Sequence, residues 1–159
     1  MTHMPQPLSA LFLAALILLA AAAVLAPLFA GKRRAAGWIH FVFAAAAGAC
    51  LVWAGVAAAA GGGMSEAAAV RIGPLSVPVL VDGLAGIFLV VIGLVSALAA
   101  LYAVRYLDHM PGSGAGGFYA AFPLFVLGMA VLVAADDLSL GFSLGWQVMT
   151  AASYVLIRY

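Results

Sequence analysis

The chain has 159 residues, of which 68% are hydrophobic and only 7% charged, and its mean hydropathy is +1.25. A soluble domain has too much polar surface to cover for such a composition, so the chain reads as an integral membrane protein. A net charge of +1, with no basic cluster larger than Lys32, Arg33 and Arg34, excludes nucleic acid as an expected partner, and a single cysteine excludes a disulfide framework.

The first apolar run covers residues 8–30. The leading MTHMPQP has no Lys or Arg, and the basic residues follow the run, so a retained span is expected and not a cleaved signal peptide. After the basic turn 31–34 a second span is predicted over 37–60, with Cys50 as a small packing residue in FAAAAGACLVW. His40, near the basic end of this span, reads as an interfacial or solvated histidine. His3 and His109 fall in a terminus and a loop, and no second ligand stands at metal-binding spacing.

Residues 61–83 form a longer connection. Within it VRIGPLSVPVLVDG, with two prolines and several β-branched residues, predicts an extended interfacial hairpin or loop over about 70–82. A third span follows over 84–106. Its small residues Gly93, Ala97, Ala100 and Val104 share a face, which fits either close helix approach or a general preference for Ala and Gly. At its end Arg105, Tyr102 and Tyr106 read as an interfacial anchor. The Gly-rich HMPGSGAGG has neither a preceding strand nor a following Lys-Ser/Thr, so it reads as an interhelical loop and not a phosphate cradle.

The fourth span is predicted over 117–135, the acidic pair Asp136 and Asp137 follows, and a fifth span is predicted over 138–157. On that helix Ser139, Ser143, Gln147, Thr150, Tyr154 and Arg158 recur at steps of three or four, which makes a polar stripe with Gln147 near the midplane. Polar groups at that depth need partners or water, so the stripe is expected to face other helices or a hydrated path. Trp146, equally deep, is expected to be packed within the protein. The fold class is therefore an all-α polytopic bundle of about five membrane helices, a single membrane domain over residues 1–159. If the chain starts outside, Lys32, Arg33, Arg34, Arg105 and Arg158 lie inside and Arg71 outside, as the positive-inside rule favours.

From residue 81 onward the chain resembles a known family. LVDGLAGIFLVVIGLVSALAALYAVRYL, then FPLFVLGMAVLVAADDLSLGFSLGWQVMTAASYVLI, resembles the N-terminal part of the antiporter-like proton-translocating membrane subunits of complex I. Hydrogenase-4 and formate hydrogenlyase large membrane subunits and multisubunit Na+/H+ antiporters belong to the same superfamily. The resemblance rests on VDGL opening a helix, the LYAVRYL ending, GM before an Asp-Asp-Leu turn, and W-x-x-M-T-x-x-S-Y. It implies a fold of roughly fourteen helices with inverted repeats, of which this chain supplies the first five, in a multi-pass inner (plasma) membrane subunit. It further implies passage of protons or ions coupled to redox chemistry elsewhere, no catalytic redox residue, no cofactor and no metal in this chain, and other membrane subunits plus the lipid bilayer as partners.

On this resemblance Ser143, Gln147, Thr150 and Tyr154 form the interior polar stripe, and Asp82, Arg105, Asp136 and Asp137 are interface and loop charges. Two departures stand out. The family typically has a glutamate where this chain has Gln147, and glutamine carries no titratable proton; a structural or water-organising role is expected in place of charge switching. The chain also stops before any counterpart of the family's buried lysine, so it reads as an N-terminal fragment of such a subunit, and with its polar stripe uncovered poor stability alone is expected. The alternatives are a component of a multisubunit cation/proton antiporter and a truncated non-pumping scaffold.

Overall fold

A computed structural model describes residues 6–63, 68–72, 74–107 and 115–159. Five helices and one hairpin follow in chain order: α1 (Gln6–Leu28), α2 (Arg33–Ala57) continued by a π-helical turn (Ala58–Gly62), β1 (Ala68–Ile72), β2 (Leu75–Val79), α3 (Gly83–Tyr106), α4 (Ala115–Ala134) and α5 (Gly141–Leu156). The expected HMPGSGAGG loop, His3 and His109 fall largely or wholly outside the described residues.

Four of the helices are long and apolar enough to cross a membrane. At about 1.5 Å per residue the 23 residues of α1 reach roughly 35 Å, more than a bilayer's hydrocarbon core. α5 is the exception. Its 16 residues reach about 24 Å, because the helix expected from residue 138 starts at Gly141. The cause is Asp137, whose carboxylate Oδ1 accepts the amide hydrogens of Leu140 at 2.5 Å and Gly141 at 3.0 Å and the Ser139 hydroxyl at 3.3 Å. Residues 138–140 are thereby held as a turn leading into the helix.

Short connections make the helices run up and down. The end that carries Lys32, Arg33, Arg34 and Arg105 also receives the end of α5, where Tyr159 lies over Gly117 and stands edge-on to Phe118 at 6.2 Å. At the opposite end β1 and β2 pair antiparallel, with Val70 opposite Val77, where the sequence predicts extended chain. β2 continues onto the α4–α5 turn: Leu80 N–H donates to the Ala134 carbonyl at 2.8 Å and Asp136 N–H to the Pro78 carbonyl at 3.1 Å. Val77, Val79 and Val81 are buried there against α1 and α4 residues such as Leu8, Phe12 and Ala134. At the end of α2 the backbone turns out of helix at Gly61, whose φ of 89° is the left-handed region that favours glycine.

The main helix contacts follow the order α3–α2–α1–α4–α5, and α4 also makes smaller contacts with α3 and α2. Glycine seams hold the bundle together. A methyl group at Gly48 would lie 2.6 Å from the Gly93 carbonyl oxygen, and one at Gly86 would lie 2.6 Å from the Gly55 carbonyl oxygen. The small face expected on α3 is thus where α2 packs: Gly93, Ala100 and Val104 are buried, and a side chain at Gly48 would touch Ala97. Cys50 packs at the margin of the apolar core and is not disulfide-bonded.

His40 departs from its expected place. It is fully buried, since it lies on the α2 face that runs through Gly37, Ala44, Ala47, Gly48, Leu51 and Gly55.

Candidate functional site, the open face of the fifth helix

α5 stands at one edge of the bundle and has α4 as its helical neighbour. The contact is again backbone-close: a methyl at Gly145 would meet the Leu132 amide nitrogen at 2.9 Å, and one at Gly128 the Met149 nitrogen at 2.7 Å. Gly141, Gly145 and Ala152 are the buried residues of α5 and mark the seam. At about 100° per residue, Ser143, Gln147, Thr150 and Tyr154 fall roughly 140–200° from Gly145, on the opposite side.

All four are exposed, Tyr154 to 70%. The structure brings them together as one stripe, as their spacing predicts, but turns it away from α1–α4, so none of those helices covers it. Trp146 differs from expectation as well. It is 51% exposed and stacks obliquely on Phe142 at 5.7 Å, because it projects about 100° from the seam and no helix among the described residues packs on that side of α5.

The helix ends are set by carboxylates. Asp82 is the N-cap of α3: its Oδ1 accepts the Ala85 amide hydrogen at 2.7 Å, which explains why VDGL opens that helix. Asp137 is not the N-cap of α5, but its carboxylate takes up the Leu140 and Gly141 amides in the turn before it. Asp136 is exposed and takes part through its backbone amide. Arg105 stands in the last turn of α3, where a cation suits the negative end of the helix dipole. Tyr102 and Tyr106, both exposed, stack at 5.4 Å beside it. Of the eight residues singled out from the sequence, four therefore form the stripe and four belong to helix ends.

The Leu140 and Gly141 amides hold the Asp137 carboxyl below the usual carboxylate range. A carboxyl whose value is lowered in the folded state stabilises it above the unfolded value of about 3.9 and loses that contribution as pH falls through the folded value. The α4–α5 turn should accordingly loosen on acidification below about pH 4. Asp137→Asn keeps a capping oxygen and should flatten that response, whereas Asp137→Ala should loosen the turn at every pH; amide hydrogen exchange at Leu140 and Gly141 reads both outcomes.

Sequence reasoning missed two further features. One is the glycine seam of α5, which Gly141, Gly145 and Ala152 announce at steps of four and seven. The other is the His40 cluster, announced by the aromatic spacing Phe118, Tyr119 and Phe122 on α4.

The fold and this face define a multi-pass membrane protein whose last helix presents polar groups away from its own bundle. Residues 70–115 match the model of the complex I (NADH-ubiquinone oxidoreductase) chain 5 N-terminus. The chain is 39% identical over 80 residues to NADH-ubiquinone oxidoreductase chain 5 of Chondrus crispus, covering 50% of this chain and 12% of that protein. It is 31% identical over 91 residues to chain 5 of Candida parapsilosis, covering 56% and 16%. Against the F(420)H(2) dehydrogenase subunit L of Methanosarcina mazei the identity is 33% over 79 residues, covering 50% and 11%. Over about half of its length the chain is similar to the antiporter-like membrane subunits of complex I, which supports that family, and its matches cover 11% to 16% of the length of these relatives.

Proposed function

We propose that the chain is part of a proton-translocating membrane subunit of a redox-driven complex of the NADH:quinone oxidoreductase type, and that it serves proton or ion passage and not electron transfer. The observation that carries this reading is the position of Ser143, Gln147, Thr150 and Tyr154 opposite the Gly145 seam. A polar stripe at bilayer depth is costly against lipid and stable against other polar helices or water. In this reading the stripe faces membrane helices outside the five described here, and the space between them is hydrated. Orientation follows the positive-inside rule, with the basic end on the inner side of the inner (plasma) membrane.

Gln147 donates and accepts hydrogen bonds and carries no charge, so it orders water and does not tune the proton affinity of a partner. The test is the ratio of protons moved to electrons transferred in membrane vesicles that contain the native complex. Gln147→Leu should lower the ratio. Gln147→Glu should keep proton passage and add a pH dependence that the native residue lacks. An unchanged ratio with leucine would remove the stripe from the path.

A further inference from the structure

Among the described residues, the buried side-chain atoms without a hydrogen bond are the two ring nitrogens of His40, a residue with 0% exposure. The other buried polar side chain, Ser96, donates to the Gly93 carbonyl at 3.1 Å. An imidazole left without partners forfeits both the hydrogen bond that it would donate and the one that it would accept. Buried polar groups that find no partner in the protein are as a rule met by ordered water or an ion.

The surroundings of His40 offer water a route. The ring packs against three rings of α4, with centroids 6.1 Å away at Phe118, 5.4 Å at Tyr119 and 5.1 Å at Phe122. One turn closer to the basic end, the Tyr119 hydroxyl lies over Gly37, 3.1 Å from where a Cβ would stand, and donates to the Arg33 carbonyl at 3.4 Å. Arg33, Gly37 and His40 follow at steps of four and three, so they share one side of α2. A line of polar groups thus runs inward from the first turn of α2: the Arg33 carbonyl, the Tyr119 hydroxyl and the His40 imidazole. The hydroxyl is both donor and acceptor, the property that a relay between a carbonyl and an imidazole requires.

We infer that His40 is a buried water-binding site, reached from the basic end of the bundle by way of the Tyr119 hydroxyl, where the imidazole exchanges its ring proton with solvent. Tyr119 is the titratable side chain packed on it, and Arg33 is the basic residue at the mouth. α1 and α3 bring Ala26, Ala103 and Leu107 to this cluster, and α4 adds Ala115, all without charge. The site lies on the α2–α4 side of the bundle and does not depend on the role proposed for the α5 face.

The experiment uses the full chain, uniformly labelled with 15N, in lipid bilayers, and follows transfer of water magnetisation to the imidazole nitrogens by solid-state NMR. His40→Gln assigns the signals among the three histidines. The His40 ring should be polarised from water, and Tyr119→Phe should slow that transfer several-fold, whereas Tyr102→Phe, at the exposed stack on α3, should not. A His40 ring that stays unpolarised at mixing times sufficient for the exposed Arg34 side chain overturns the inference. That readout is made on the unaltered chain, so it stands even if Tyr119→Phe does not fold. Transfer that persists unchanged in a folded Tyr119→Phe chain overturns the route.

Discussion

Replacing Gly48 with valine is expected to separate α2 from α3 at a cost of about 1–3 kcal/mol or more. The added Cβ would stand 2.6 Å from the Gly93 carbonyl oxygen, and the reverse substitution at Gly93 would stand 2.6 Å from the Gly48 carbonyl oxygen. Both obstacles are backbone, so no side-chain rotation relieves them and the helices must move apart. Seven residues further along each helix the Gly55–Gly86 contact repeats the arrangement, so a shift that clears one contact weakens the other. In a bilayer such close packing is a principal source of helix association, since lipid tails are as apolar as the side chains. Gly31→Ala is the control, because a Cβ there would meet nothing within 4 Å and should change stability by less than about 0.5 kcal/mol. Unfolding of the reconstituted chain, followed by circular dichroism, distinguishes the two; equal midpoints for Gly48→Val and the unaltered chain would contradict the seam.

Gly145→Val should have an effect of similar size but local extent. Its Cβ would meet the Leu132 nitrogen at 2.9 Å, the Leu132 Cα at 3.0 Å and the Gly128 carbonyl oxygen at 3.1 Å. α5 rests on α4, on a few residues of β2 and on the ring contact of Tyr159 with Phe118, so overpacking this seam removes most of what holds it. The expected cost is about 1–3 kcal/mol, spent on releasing α5 while the other four helices stay folded. A cysteine at the buried Ala152, in a chain with Cys50 replaced by serine, should become reactive to thiol reagents in the Gly145→Val variant. One at the buried Ala47 should remain protected. Loss of protection at both positions would mean that α5 is not a separable edge.

How much of this was legible in the sequence depends on the kind of information involved. Long apolar runs separated by Gly, Pro and charge give helix number and approximate ends, because the bilayer imposes length and the connections impose alternation. The prolines and β-branched residues of VRIGPLSVPV likewise point to extended chain. The start of α5 was misplaced since hydropathy is blind to capping: Leu138 and Leu140 are apolar, but the Asp137 carboxylate takes up the amides around them. The stripe on α5 was visible as a period. Which neighbour it faces was not, because a period defines two sides of a helix without saying which one meets α4; the small residues Gly141, Gly145 and Ala152 decide that. His40 was misjudged for a related reason. Its nearness to Lys32, Arg33 and Arg34 suggested solvent, while its phase with Gly37, Ala44 and Gly48 places it inside.

In the proposed function the polar side of α5 meets protein and water, not lipid, in the membrane where the chain works. The most direct measurement is the collision rate of a nitroxide at position 147 with oxygen and with a water-soluble nickel chelate, made in native membranes on a chain free of Cys50 and compared with nitroxides at the exposed apolar positions 94 and 98 of α3. Low oxygen and raised nickel collision are expected at 147, against the reverse at 94 and 98. Oxygen collision at 147 equal to that at the α3 positions, with nickel excluded, would mean that Gln147 faces lipid and would overturn the proposed function.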